Sequence, residues 1–119
     1  CRLLSKDFIN SIEFRHISWF TEETFEILSN HNHVSACSLS APGDLPGDLL
    51  ESHGKVYIRF HGKEDWYNHD YSDGELKGWV KKLNKANSLK VLFAYFNNDQ
   101  NAHAPANAQK FLEMVREEL

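Results

Sequence analysis

The order of segments predicts an α/β fold with a mostly parallel sheet, its strands alternating with helices as in one half of a (β/α)8 TIM-barrel-like fold. Three observations carry that expectation. Strand-like and helix-like segments alternate through the whole chain. The run LKVLFAYF (89–96) is nearly continuously apolar, as a strand covered on both faces must be. Arg15, Arg59 and His61 stand at the carboxyl ends of strand-like segments. A barrel mouth offers such groups partners and water, whereas an open sheet covered by helices leaves them hard to satisfy.

Each element has its own local reason. NSIEF (10–14) alternates, with Ile12 and Phe14 on one side and Glu13 and Arg15 on the other. Thr21 is placed to cap the following helix, Phe20 and Phe25 stand at hydrophobic-staple positions, and Glu22 and Glu23 suit a positive helix start. That helix is expected to end near Asn30, and HVSACSL (33–39) reads as the second strand. A Pro- and Gly-rich stretch (40–55) reads as a loop, long for a compact domain.

KVYIRFHG (55–62) is the third strand, with Tyr57, Arg59 and His61 on one side and Val56, Ile58 and Phe60 on the other. KEDWYNHDY (63–71) is irregular. Ser72 and Glu75 form a capping box ahead of a helix whose apolar face is Leu76, Trp79, Val80, Leu83 and Ala86. After the fourth strand, Pro105 stands near the start of a last helix with a predicted buried stripe of Ala108, Phe111, Leu112, Val115 and Leu119.

The chain has 119 residues, read as a single α/β unit over 1–119. With 41% hydrophobic and 13% aromatic residues it has the material for a packed core. A net charge of −4 argues against a broad basic nucleic-acid surface but allows a local basic pocket, so a nucleic-acid partner is unsupported by charge. Apolar runs are too short for a membrane span, and the opening CRLLSKDF has no apolar signal-peptide segment. Two cysteines make no disulfide framework, and the expectation is a reduced, cytoplasmic protein. A first residue of Cys rather than Met is expected of a fragment or a trimmed product.

Four motifs, EFRHISWF (13–20), VYIRFHGKEDWY (56–67), YSDGELKGWV (71–80) and YFNNDQNAHAPANA (95–108), resemble in order and spacing the YecE-like family, also called domain of unknown function 72. The resemblance covers nearly the whole chain. It implies the C-terminal half of a TIM barrel, without the N-terminal half and its glycine- and tryptophan-containing opening motif. A half barrel has two open sheet edges. Either the rest of the barrel covers them, which is the favoured expectation, or two copies close an eight-stranded barrel as a homodimer. The family carries no assigned reaction.

The candidate site gathers at the strand ends. Glu13, His16 and His61 are the expected catalytic acids and bases, and Arg15 and Arg59 the expected anion holders. The competing reading pairs Glu13 with Arg15 inside the barrel as filling. Trp19 is expected either to floor a pocket or to serve as packing before the helix, and Tyr71, with Tyr67, either to lid the mouth or to pack on the barrel rim. Asn97, Asn98 and Asp99 follow the last strand, where barrels often bind phosphate, although they also suit an ordinary turn. Glu13, His16, His61 and Asp99 offer nitrogen and oxygen ligands for one divalent ion, but no resident metal or cofactor is assigned. Cys37 has no evident base and reads as a buried thiol.

The resulting expectation is an enzyme holding a small phosphorylated or carboxylated ligand, with phosphoester hydrolysis as the reaction class. The alternative is a non-catalytic ligand-binding or scaffold protein using the same pocket.

Overall fold

The computed structural model describes residues 1–119. Strand β1 (Asn10–Ile12) lies parallel to β2 (Val34–Ala36), β3 (Ser38–Ser40) lies parallel to β5 (Lys55–Phe60), and β5 lies parallel to β6 (Val91–Phe96). β2 and β3 are one run interrupted at Cys37, whose N–H donates to the Ile12 carbonyl at 2.8 Å. Four parallel tracks therefore stand in chain order, and β1 and β6 each keep one unpaired edge.

The second strand, expected as a single run, breaks because it changes neighbour. Its first half pairs with β1 and its second half with β5. The lower edge of β5 is taken instead by β4 (Glu51–Ser52), an antiparallel strand inside the stretch read as loop. A tight turn joins β4 to β5, with His53 at φ 53° and Gly54 at φ 79°. Two successive positive φ values are what a two-residue type I′ hairpin requires. Gly54 is also pressed against the chain leading into β6: a Cβ there would lie 2.7 Å from the Ser88 carbonyl.

The helices are built from local signals. Thr21 caps α1 (Glu22–Ser29) by accepting from the Thr24 N–H, and Phe20 meets Phe25 edge-on at 6.2 Å, completing the staple. Ser72 and Glu75 form the reciprocal capping box of α2 (Asp73–Asn84). Burial would raise the Glu75 carboxyl, but hydrogen bonds from the Ser72 N–H and hydroxyl and from His69 outweigh it and hold the pKa at about 2. Helix α3 (His103–Glu118) begins two residues before Pro105, after a 3₁₀ turn in which Asn101 and Ala102 have positive φ.

The core lies between the sheet and α2 and α3. Val56, Ile58 and Phe60 are fully buried under Leu76, Trp79, Val80 and Leu83 of α2 and Phe111 of α3. Phe60 is its centre: it stacks on Phe96 at 4.2 Å and meets Tyr71, Trp79 and Phe111 edge-on. The α3 stripe differs from expectation. Ala104, Asn107 and Phe111 are buried, while Leu112 and Leu119 are exposed. The reason is that α3 packs on β6 and α2 and has no neighbour beyond β6. Ala86 lies past the end of α2 and is half-buried. No helix is long and apolar enough to cross a membrane.

Phe60→Ala removes a ring with four aromatic neighbours and should cost about 3–5 kcal/mol, measured by denaturant unfolding of the full-length protein. A loss below about 1 kcal/mol would mean that this core does not close around Phe60.

Candidate functional site

The carboxyl ends of β1, β5 and β6 bring Glu13, Arg59, His61 and Asn97 together, with Arg15 two residues beyond Glu13. Period-two alternation is the cause on β5. The face that buries Val56, Ile58 and Phe60 leaves Tyr57, Arg59 and His61 on the other.

Glu13 is the hub. Its Oε1 accepts from His61 Nε2 at 3.0 Å and contacts Arg15 Nε at 2.5 Å. Its Oε2 lies 3.0 Å from Arg59 Nη1, an ion pair without hydrogen-bond alignment. Arg59 is fixed from its other side, where Nε and Nη2 both donate to Asn97 Oδ1 at 2.9 and 2.7 Å. The Glu13 side chain is only 13% exposed, whereas that of Arg15 is 52% exposed, and its guanidinium lies 5.3 Å from the Trp66 ring centre. Two guanidiniums thus share one carboxylate, a local positive surplus on a chain of negative net charge.

His61 is 1% exposed and stands behind this cluster. A carboxylate only accepts, so the neutral ring carries its hydrogen on Nε2 and leaves Nδ1 as a bare acceptor. That Nδ1 is buried with no partner. Burial pushes the His61 pKa below its ordinary value, Arg15 and Arg59 push the same way, and the opposing pull of Glu13 does not win. Cys37 is buried beside the cluster, and burial, reinforced by Glu13, raises its thiol to about 12. It is a protonated, inert thiol at neutral pH. Tyr57 stacks on Tyr95 at 5.1 Å on the same face, and burial, then the Tyr95 phenol, raises its pKa.

Other expected residues stand elsewhere. His16 is exposed and caps the 3₁₀ turn Ile17–Trp19, its Nδ1 accepting from the Ser18 N–H at 3.2 Å. Trp19 is half-exposed on that turn and stacks on Phe14 at 5.3 Å. Asp99 is exposed and makes no side-chain cap bond. The four residues considered for a divalent ion therefore do not converge, and no three His, Cys, Asp or Glu side chains group as ligands.

Asn98 turns away from Asn97. It is fully buried, and its Nδ2 donates to the His69 carbonyl and to Asn107 Oδ1, both at 2.7 Å, tying β6 to α3. Tyr71, expected as a lid, is buried in the core. Its hydroxyl donates to Ser40 Oγ at 2.7 Å and accepts from the Gly62 N–H at 2.9 Å. Burial raises that phenol to about 12. Tyr71 borders a separate cavity of about 470 Å³ beside α2, together with Lys63, Glu75 and Lys82.

The residue that sequence reasoning passed over is Trp66. Its signal was an aromatic in the irregular stretch directly after the third strand, which is where a barrel mouth lies. The loop is pulled inward by Gly62 at φ 125°, where a Cβ would collide with the Asp65 carbonyl, and by the Tyr67 N–H donating to the His61 carbonyl at 2.6 Å.

The lowered His61 pKa has a definite consequence for stability. Between its ordinary value of 6.5 and the lower folded value, the unfolded chain binds a proton that the folded chain refuses. The contribution is complete above about pH 6.5 and is lost as pH falls through the folded value. Unfolding free energy should therefore drop between about pH 7.5 and about pH 5.5, and His61→Gln should lessen the drop. An equal slope in both proteins, by denaturant titration, would show that His61 titrates normally.

The whole chain, residues 1–119, matches the family described as Protein of unknown function DUF72. A crystal structure of a DUF72 family protein from Thermotoga maritima matches with a TM-score of 0.72 and 30% identity, over 89% of this chain and 45% of its own. Two crystal structures of a DUF72 family protein from Enterococcus faecalis share the fold with TM-scores of 0.77 and 0.71 at 19% identity, over 89% of this chain and 46% and 48% of theirs. The chain spans about half the length of these solved relatives. No curated protein matches it. With its parallel, alternating architecture forming half of their TIM-barrel-like fold, the chain belongs to the DUF72 family.

Proposed function

We propose that this chain supplies the mouth of a site for a small phosphorylated or carboxylated ligand, and that the protein hydrolyses a phosphoester there. One observation carries the reading: Arg15 and Arg59 share the single carboxylate of Glu13, and Arg15 meets it through Nε, its terminal nitrogens making no hydrogen bond to the protein. A guanidinium fork with free donors beside a second, fixed guanidinium suits the oxygens of a phosphate or carboxylate. Arg59, held by Asn97 and Glu13, is the preorganised half of the grip, and Arg15 is the adjustable half.

For hydrolysis, the oxygen of a water attacks phosphorus, the ester P–O bond breaks, and the proton of the water reaches the leaving alkoxide by way of Glu13. His61 acts behind Glu13 as a positioning residue, since it is buried. A non-catalytic binding protein is the second reading. It is favoured by the fact that both Glu13 oxygens already face cationic or N–H groups, which suits a carboxylate committed to holding its arginines.

Thermal melting of the full-length protein with inorganic phosphate, phosphorylated metabolites and dicarboxylates tests the site, with Arg15→Ala as control. A ligand at one hundred times its dissociation constant adds about 2.7 kcal/mol, and Arg15→Ala should abolish the shift. No shift with any anion, or one that survives Arg15→Ala, would sink the reading. Phosphate release by wild type but not by Glu13→Gln, with ligand binding retained, supports hydrolysis. Binding without release by either protein leaves the non-catalytic reading.

A further inference from the structure

Arg15 is held on two sides. Its Nε meets Glu13, and its guanidinium lies over the Trp66 ring, 5.3 Å from the ring centre. A ring face attracts a cation through its quadrupole and brings no oxygen acceptor to compete with a ligand for the N–H groups. Trp66 is itself firmly set. The buried His61 ring stands 5.5 Å from it, centre to centre, and the Tyr67 N–H closes the turn onto the His61 carbonyl. Beyond Trp66, alternate residues of the same loop are tied to the segment that follows β6. The Tyr67 carbonyl accepts from the Gln100 N–H at 3.1 Å, the His69 carbonyl accepts from Asn98 Nδ2 at 2.7 Å, and the Tyr71 N–H donates to Asn107 Oδ1 at 3.1 Å. Asn98 and Asn107 are buried and bonded to each other, so this seam belongs to the interior and not to the surface.

We propose that Trp66 is the positioning residue of the anion grip, carrying the Arg15 guanidinium on its face so that the terminal nitrogens stay free for the ligand. The inference rests on the anion grip proposed above and adds what limits the movement of its adjustable half. Without the indole the guanidinium keeps only its contact with Glu13, and the freedom it gains is lost again when an anion orders it. Both halves of the grip then refer to the end of β6. Asn97 fixes Arg59 directly, and the next residue, Asn98, fixes Arg15 through the loop that carries Trp66.

The test is calorimetric titration of the full-length protein with inorganic phosphate and with succinate. Trp66→Leu should weaken the anion that binds by about three- to thirtyfold, the range of a cation–ring contact, and Trp66→Phe, which keeps a ring face, should restore most of the loss. Tryptophan fluorescence adds a readout that a merely structural role would not move. An anion neutralising the guanidinium over the indole should change the emission of the wild type, and the change should vanish in Trp66→Phe although Trp19 and Trp79 remain. If Trp66→Leu does not fold, the Phe variant and this signal carry the same test. Unchanged affinity in Trp66→Leu, or an equal loss in the Leu and Phe variants, overturns the positioning inference and leaves the grip standing. So does an emission change that is absent from the wild type or survives in Trp66→Phe. Binding of neither anion by the wild type overturns the grip and this inference with it.

Discussion

A strand inside a parallel sheet has both faces covered, and β5 divides its faces residue by residue. Val56, Ile58 and Phe60 reach zero exposure beneath the helices, and the residues between them face the opposite side. A slip of one residue would put Arg59 and His61 into the apolar layer and Phe60 among the charges. The register is held from both sides: Ser38, Leu39 and Ser40 of β3 pair with Ile58, Arg59 and Phe60, and all six residues of β5 pair with β6. The core and the charged cluster are thus two faces of one register.

The charged cluster has its own constraint. A nearly buried carboxylate is costly unless its charge is met, and Glu13 is met by three residues at once. Arg59 in turn is met by Asn97, so the chain of contacts runs from β1 through β5 to β6. Arg15 is the member with capacity left over, because its side chain stands in solvent over Trp66. The cluster therefore presents one fixed guanidinium, Arg59, and one adjustable one, Arg15.

Much of the fold was legible because its signals are local. The capping box at Ser72, the staple between Phe20 and Phe25 and the alternation of β5 each lie within a few residues of sequence. The cluster of Glu13, Arg59, His61 and Asn97 was legible one level up, since strand ends converge in a parallel fold. The rest depends on what packs where. Asn97 and Asn98 are adjacent and chemically identical, yet one holds Arg59 and the other ties β6 to α3. Tyr71 reads as a loop aromatic until Phe60 and Ser40 are placed beside it. The β4 hairpin turns on His53 and Gly54, whose conformation is supported by Ser88 and Lys90 more than thirty residues away. His16 has a local role that its sequence position also allows: it caps the turn beside it through Ser18, two residues on.

The separation between Glu13 and His61 in the chain also sets a timetable. They stand 48 positions apart, and Arg59 and Asn97 stand 38 apart. A ribosome adding about 5–20 residues per second leaves Glu13 with Arg15 alone for roughly 2–10 s before His61 is made. Asn97 comes later still, so Arg59 waits for the partner that fixes its fork. During synthesis the run of contacts from Glu13 through Arg59 to Asn97 therefore closes only once β6 has been made, with α3 still to come.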